Sequence, residues 1–441
     1  MERKHEMKVL KKICKVILAI ILTIVLVGSL AAVIALNYKT VLASHKVKEV
    51  VESAKTFDEI EIPDSVKIVG VGEATHGSSE FQTLKLEMFK KLVEENGFTA
   101  FALEADFADC LEANEFIQGG EGNARDIVNN MSFKIYHTVE MARILDWMRE
   151  YNLSAPKEKS LRFYGFDMQN PEKGVEFLKK YMEASGITGI DMASLDYFVD
   201  EERTESLTEE DVSKIRAELS EIRKAVEALS DSQQDFDTIC AIKTTENIES
   251  TLGYIFVEDL DMYAYRDQAM ADNVTWILEL EKKLGSGKVM LAAHDGHISK
   301  APHSSMMPTT MGHILKEKYG DEYYSLGTDF FKGKANISVL SITTEEYQRK
   351  DYYVTTADPI AYQAKYMKDK KFYLDFGTIS PETDKKVYDL VHSPVSMGSV
   401  GEGFTGIYYI YHSAYRTEMA PADFYDGMIF YYQVHATVPQ Y

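Results

Sequence analysis

The sequence predicts an α/β fold: a mostly parallel central sheet flanked by helices, with a helical insertion and a smaller α+β part. Three observations predict it. Five short runs rich in β-branched and aromatic residues, at 66–73, 98–106, 161–167, 288–294 and 323–330, have the length of buried strands. Helix-spaced patterns lie between them, notably at 80–95 and 138–151. Four of the five runs end in an acid or a histidine, at the strand ends where open α/β sheets gather their chemistry.

The chain opens with Arg3, Lys4, Lys8, Lys11, Lys12 and Lys15 in residues 1–15, followed by an uncharged apolar run at 16–36. That run is long enough to cross a bilayer as a helix. The basic flank keeps the amino terminus in the cytoplasm, so the expected product is a single-pass cell-membrane protein with an extracytoplasmic body. A cleaved signal peptide is the rival reading, with Val41-Leu-Ala43 as its small-residue site; the length of the run favours an uncleaved anchor. Residues 37–60 read as a polar linker and lead-in helix, and 61–441 as the body.

At 441 residues, 45% hydrophobic and 27% charged, the chain has the composition of a globular protein with a large core. Acidic residues outnumber basic ones by 70 to 48, and a net charge of −22 repels phosphate backbones, which argues against nucleic-acid partners. Cysteine is scarce. Cys110 and Cys240 could pair in an oxidising compartment, but isolated buried thiols are the simpler expectation.

The first strand runs into Gly72-Glu-Ala-Thr-His-Gly77, whose glycines read as permitting a tight turn. Thr75 or Ser78 is a candidate cap for the next helix, with Glu80 as a first-turn acid and Phe81, Leu84, Met88 and Leu92 on its apolar face. From about 171 to 265 the chain is rich in Glu, Lys, Leu and Ala, with helical spacing at 213–229 and 235–257; its dense charge at 209–221 is a solvated face. Beyond about 331 it turns aromatic, with Tyr352, Tyr353, Phe372, Tyr373, Tyr408, Tyr409 and Tyr411. These are core residues by default, some of them candidates to line a pocket. Runs at 371–375 and 428–435 would complete the sheet or form a second unit.

The strand ends carry the chemistry. The first ends in Glu73 with His76 just beyond, the second in Glu104 and Asp106, the third in Asp167, and the fourth in His294 followed by Asp295 and His297. Parallel neighbours would bring all of these to one edge, where unpaired ionisable groups are costly. Two chemistries fit. In one, a histidine is a general base on water, a carboxylate orients it, and a second histidine or a cation stabilises the oxyanion. In the other, His76, His294, His297 and the carboxylates bind a divalent metal that activates water. The sequence holds no Gly-x-Ser-x-Gly elbow for a serine nucleophile and no glycine-rich phosphate loop. His303, His313, His392, His412 and His435 receive no role; His137 precedes a helical pattern from which it could reach the cleft.

Taken together these motifs resemble the erythromycin esterase family, over nearly everything after the apolar run. The resemblance rests on Gly72-Glu-Ala-Thr-His-Gly77, Phe101-Ala-Leu-Glu104, Gly165-Phe-Asp167, Arg266-Asp-Gln-Ala-Met-Ala-Asp-Asn273 and Ala293-His-Asp-Gly-His297, with Met311-Gly312, Leu326-Gly327 and Phe424-Tyr-Asp426. It implies hydrolytic opening of a macrolide lactone by activated water, with no covalent intermediate, obligate metal or other cofactor. It implies His76 as general base, with Glu73, Glu104, His294 and His297 completing the cleft and Lys85, Asp106, Asp167 and Arg266 facing the substrate. Two departures stand out. Lys85 occupies a place where family esterases carry arginine, which keeps the charge and loses the planar fork. The resistance esterases are typically cytoplasmic, so an exported, tethered relative suggests another small-molecule ester or lactone. The competing class is an exported haem- or metal-binding protein of related fold, since histidine-rich clefts suit iron ligation.

Overall fold

The computed structural model describes residues 2–199, 206–229, 235–258, 261–302, 308–341, 344 and 347–440; His303 lies outside them, as does the side chain of Tyr409. Among the described residues eleven strands follow in chain order: β1 (Ile68–Glu73), β2 (Ala100–Asp106), β3 (Arg162–Asp167), β4 (Val289–His294), β5 (Tyr323–Leu340), β6 (Tyr347–Thr355), β7 (Lys371–Asp375), β8 (Val395–Gly398), β9 (Gly403–Thr405), β10 (Arg416–Met419) and β11 (Gly427–Val434). The main sheet runs β3-β2-β4-β1-β5-β11-β7, with β6 and β9 on the far half of β5; β8 and β10 form a separate pair. Neighbours from β3 to β11 are parallel and β7 is an antiparallel edge. This is the α/β architecture expected from the sequence.

Strand order places the cleft. From β1 the chain moves outward to β2 and β3, then returns with β4 into the gap between β2 and β1, and crosses to the other side of β1 with β5. The carboxyl ends of β1, β4 and β2 therefore stand side by side where the winding reverses, the usual place for a ligand crevice. Each of these strands is covered on both faces, which is why they read as nearly continuous apolar runs. In β1 the alternation is Val against Gly: Val69 and Val71 join the core beneath helix Ser79–Asn96, which contributes Phe81, Leu84, Met88 and Leu92.

The glycines of β1 and of the turn beyond it do a different job from the expected one. Gly70, Gly72 and Gly77 have no positive φ. They are small because neighbours come close: a Cβ on Gly72 would stand 1.9 Å from Asp295 Oδ1, and one on Gly77 would stand 2.3 Å from the Asn336 carbonyl. Ser78 holds the N-cap position of the next helix but makes no side-chain cap bond there. A side-chain cap is made by Thr138, whose hydroxyl accepts from Met141 N to start helix Val139–Ser154.

Two further expectations are revised. β5 is 18 residues long and does not stop near Phe330; its second half pairs with β6 and β9. The first helix spans Glu2–Ala43 without a break, so residues 37–43 are helix rather than polar linker, and Ala43 is already buried in the body. Its segment from Lys11 to Ala43 is long and apolar enough to cross a membrane. The insertion is helical, with Glu172–Ala184, Glu209–Glu227 and Phe236–Ile255 around a core of Val175, Leu178, Ile215, Leu219 and Leu252. Helix Met262–Leu284 then returns to the sheet. Cys110 and Cys240 are separate buried thiols.

Candidate active site

Glu73 closes β1 directly opposite His294, the last residue of β4. The chain then doubles back over Ala74 and Thr75, pinned by Thr328 Oγ1 accepting from Ala74 N at 3.0 Å and by a bridge from Thr75 to Val400. This turn carries His76 back onto Glu73: its Nδ1–H donates to Glu73 Oε1 at 2.8 Å. Gln82 Nε2 donates to Glu73 Oε2 at 2.8 Å, and Lys85 Nζ donates to Glu73 Oε1 at 2.9 Å and to Gln82 Oε1 at 3.0 Å. Gln82 and Lys85 are three residues apart, which puts both on the helix face toward Glu73.

Nδ1 of His76 is thus occupied, and Nε2 has no protein partner among the described residues. The residue is 8% exposed, so that nitrogen is the one that can meet a substrate. Burial disfavours the charged imidazole, but the bond and charge of Glu73, with Glu104 behind, outweigh it and raise the His76 pKa above its ordinary 6.5.

A second cluster lies alongside. Glu104, on β2, accepts from the backbone N–H of His294 at 2.7 Å and from Arg266 Nη2 at 2.8 Å. Arg266 also binds Asp167, its Nη2 donating to Oδ2 at 2.6 Å. His297 lies between Glu104 Oε1, 3.3 Å from Nε2, and Asp267 Oδ1, 2.9 Å from Nδ1. Burial works against the charge on His297, but these two carboxylates prevail and raise its pKa. Burial alone would push Glu104 up; the charges of His297, Arg266 and His76 hold it far below the usual carboxylate range.

His76 and His294 join the clusters, with ring centroids 5.3 Å apart. His294 Nδ1 accepts from Gly296 N at 3.2 Å, which places the proton of its neutral ring on Nε2 and makes that nitrogen a donor.

The structure therefore brings Glu73, His76, Lys85, Glu104, Arg266, His294 and His297 into one continuous array. Asp106 and Asp167 are deeper. Asp167 anchors Arg266, while Asp106 accepts from Asn170 N at 2.9 Å, and burial beside Asp167 pushes its pKa well up. Both are essentially unexposed in this conformation, as is Lys85, whose ammonium faces Glu73. His137 Nε2–H donates to the Met131 carbonyl at 2.8 Å rather than reaching the cleft. Among the described residues no three His, Cys, Asp or Glu side chains stand in a metal-holding arrangement.

Sequence reasoning passed over four contributors. Gln82 follows the turn at a helical spacing from Lys85, a usable signal. Asp267 sits inside the motif that names Arg266, next to it. Tyr136 donates from its hydroxyl to the Glu104 carbonyl at 2.6 Å and sets its ring beneath Lys85 Nζ, 5.7 Å from the ring centre. Glu402 pairs with Arg349, and its other oxygen, Oε2, is covered without a partner. Burial raises its pKa, and the charge of Arg349 and then of His76 pulls it back; two residues earlier, Val400 N donates to the Ala74 carbonyl at 2.9 Å, beside the turn that carries His76. Nothing near Glu402 in the sequence announces this, because the pairing of β9 with β5 brings it in.

The family model described as erythromycin esterase matches residues 93–434. The turn carrying Glu73 and His76 lies ahead of that stretch. Erythromycin esterase type II of Escherichia coli is 28% identical over 302 residues, covering 60% of this chain and 70% of the relative. A solved succinoglycan biosynthesis protein superposes with a TM-score of 0.69 at 22% identity, over 89% of this chain and 97% of its own. A mutant erythromycin esterase in an open conformation superposes at 0.57 and 15% identity, over 84% and 91%. At such identities the two structures establish the fold alone. The family rests on the model, which spans most of the chain: this protein belongs to the erythromycin esterase family.

Proposed function

We propose that this protein hydrolyses carboxylic esters, cyclic lactones included, with water activated by His76. The observation that carries the reading is the Glu73–His76 pair, in which Nδ1–H is committed to a carboxylate while Nε2 is left for the substrate side. A carboxylate in that position fixes the tautomer and stabilises the imidazolium that forms. Water loses a proton to His76 Nε2 as its oxygen bonds to the ester carbonyl carbon. The carbonyl oxygen takes up the negative charge, and His294 Nε2–H is the donor suited to it. Collapse breaks the bond to the alkoxide, which receives the proton held on His76, leaving acid, alcohol and the starting enzyme. Arg266 and His297 hold Glu104 ionised, and Glu104 fixes the backbone of His294.

The relatives named erythromycin esterases favour a macrolide-like lactone as one substrate. The apolar first helix supports a membrane-anchored enzyme with its body outside the cytoplasm. The test is to incubate the detergent-solubilised full chain with erythromycin and a panel of lactones and simple esters, reading products by mass. A substrate that gains one water is expected, with turnover reduced roughly a hundredfold or more in His76→Ala. Undiminished turnover in that variant would remove His76 from the role of base.

A further inference from the structure

Exposed large apolar residues on the body are mostly scattered, but three gather on one loop: Ile407, Ile410 and Tyr411, at 58%, 69% and 62% exposure. The segment that carries it, residues 399–415, leaves the end of β8, passes through β9 and returns into β10. Its first residues belong to the active site: Val400 N donates to the Ala74 carbonyl at 2.9 Å, beside the turn that carries His76, and Glu402 follows. The tip is held from beneath. Phe404 is buried, Tyr408 packs edge-on against it at 5.0 Å, and two short 3-10 turns, Gly406–Tyr409 and His412–Ala414, shape the rest. The apolar side chains are therefore presented outward by a built surface.

The position of the first helix says what that surface meets. The helix is continuous through Ala43, which is buried in the body, and Leu36 at the end of the apolar run is already half-covered. Lys39 donates to Glu418 on β10 at 2.6 Å. It lies three residues past Leu36, about 5 Å along the axis. A helix that crosses a bilayer therefore delivers β10 to the membrane surface with almost no intervening chain. The loop tip is seven residues from Glu418 on the strand that Lys39 holds. Isoleucine and tyrosine are residue types that settle at the boundary between headgroups and acyl chains.

We propose that Ile407, Ile410 and Tyr411 dip into the outer surface of the membrane, so that the cleft beside them takes amphiphilic esters or lactones already partitioned into the bilayer. The proposal rests on the anchored reading of the first helix, and it extends the hydrolase reading to a substrate class. A freely soluble polar ester would gain nothing from this placement. A lipophilic ring or acyl chain would reach the His76 side of the cleft without crossing bulk water.

The test uses the full chain in anionic proteoliposomes containing lipids brominated on the acyl chain, so catalysis is not needed for the readout. In a Cys14→Ser background the remaining thiols are buried. Single cysteines are placed at Ile410, at Val25 inside the apolar run, and at Leu153, exposed on the segment that leads into the start of β3. Each is labelled with an environment-sensitive fluorophore. The proposal expects quenching and a blue shift at positions 25 and 410 and neither at 153. Quenching at 25 with none at 410 would overturn it while leaving the anchor intact. Absence of quenching at both would instead overturn the anchored reading, and with it this one. Where Ile410→Cys proves unstable, Tyr411→Cys reports on the same surface. A second arm compares Ile407→Ser/Ile410→Ser with the parent on one ester supplied in vesicles and one free in solution. Selective loss of several-fold on the vesicle substrate supports the proposal, and equal rates on both count against it.

Discussion

Two buried ionic networks sit at opposite ends of the same sheet. At the amino edge, Glu281 of helix Met262–Leu284 is wholly enclosed, and every lobe of its carboxylate is answered. Arg162 donates Nε to Oε1 at 2.5 Å and Nη2 to Oε2 at 2.7 Å; Tyr164, Thr99 and Ser286 supply three hydroxyls. At the carboxyl edge the His76 and Glu104 clusters are just as buried but leave capacity unused. His76 Nε2 has no protein partner among the described residues, and Asp267 Oδ2 and Glu402 Oε2 are covered without one. Native interiors satisfy nearly all of their buried polar atoms, so unanswered ones need a reason. The closed network spends its whole hydrogen-bonding capacity within the fold; the open one does not, which is what the proposed hydrolytic role of His76 requires.

The largest effect should come from breaking the closed network. Arg162→Ala leaves Glu281 charged, buried and short of its main partner, a change that costs about 3–5 kcal/mol. Denaturant midpoints at constant slope would measure it, and hydrolysis per folded molecule should be little altered. A loss below about 1 kcal/mol would mean that the two networks do not differ in this way. Next comes Gly77→Ala, which drives a methyl group into the Asn336 backbone, itself donating to the Gly77 carbonyl at 2.8 Å. Overpacking there should cost about 1–3 kcal/mol and reduce turnover as well, because the same turn sets His76.

How much of this contrast was legible in the sequence depends on distance along the chain. The ends of β1, β2, β3 and β4 match the expectation because each apolar run gives way to ionisable residues at its carboxyl end. Their beginnings fell one or two residues later than expected, because Val66, Phe98 and Leu161 pack without entering a ladder. The second half of β5 was missed because Lys332 and Lys334 interrupt the apolar pattern on one face while Ala335 and Ile337 continue it on the other. Arg266 came from family resemblance rather than from residue pattern: a lone arginine at a helix start carries no sign that it will reach Asp167 and Glu104. Neither network could be assembled from sequence, since Glu281 meets residues at 99 and 162–164 and Glu402 is brought beside β5 only through strand pairing.

Glu73→Gln sharpens the comparison by altering charge with little change of shape. The raised pKa of His76 means that the base is neutral only above a limb lying higher than pH 6.5, so kcat/KM should climb with pH through that limb. Removing the Glu73 charge should move the limb to lower pH and lower the plateau roughly tenfold, equivalent to about one pKa unit of imidazolium stabilisation. In linkage terms the raised His76 pKa stabilises the fold fully below about pH 6.5, and that contribution fades as pH rises through the folded value. The depressed Glu104 pKa acts oppositely, present at neutral pH and lost toward strong acid. A limb unmoved in Glu73→Gln would show that some other group governs the titration.

The smallest effect belongs to an ion pair with neither burial nor network. Lys385 Nζ and Asp389 Oδ2 lie 2.7 Å apart, one helical turn from each other, with side chains 71% and 55% exposed. The distance is like those around Glu281, so distance alone would rank the pairs as equals. What differs is the environment: solvent screens the attraction, no desolvated charge is left behind when one partner goes, and ordering two long side chains offsets part of the gain. Lys385→Ala should therefore shift stability by no more than about 0.5 kcal/mol, and the shift should shrink further in high salt. A loss comparable to that of Arg162→Ala would place the worth of these pairs in contact geometry rather than in burial.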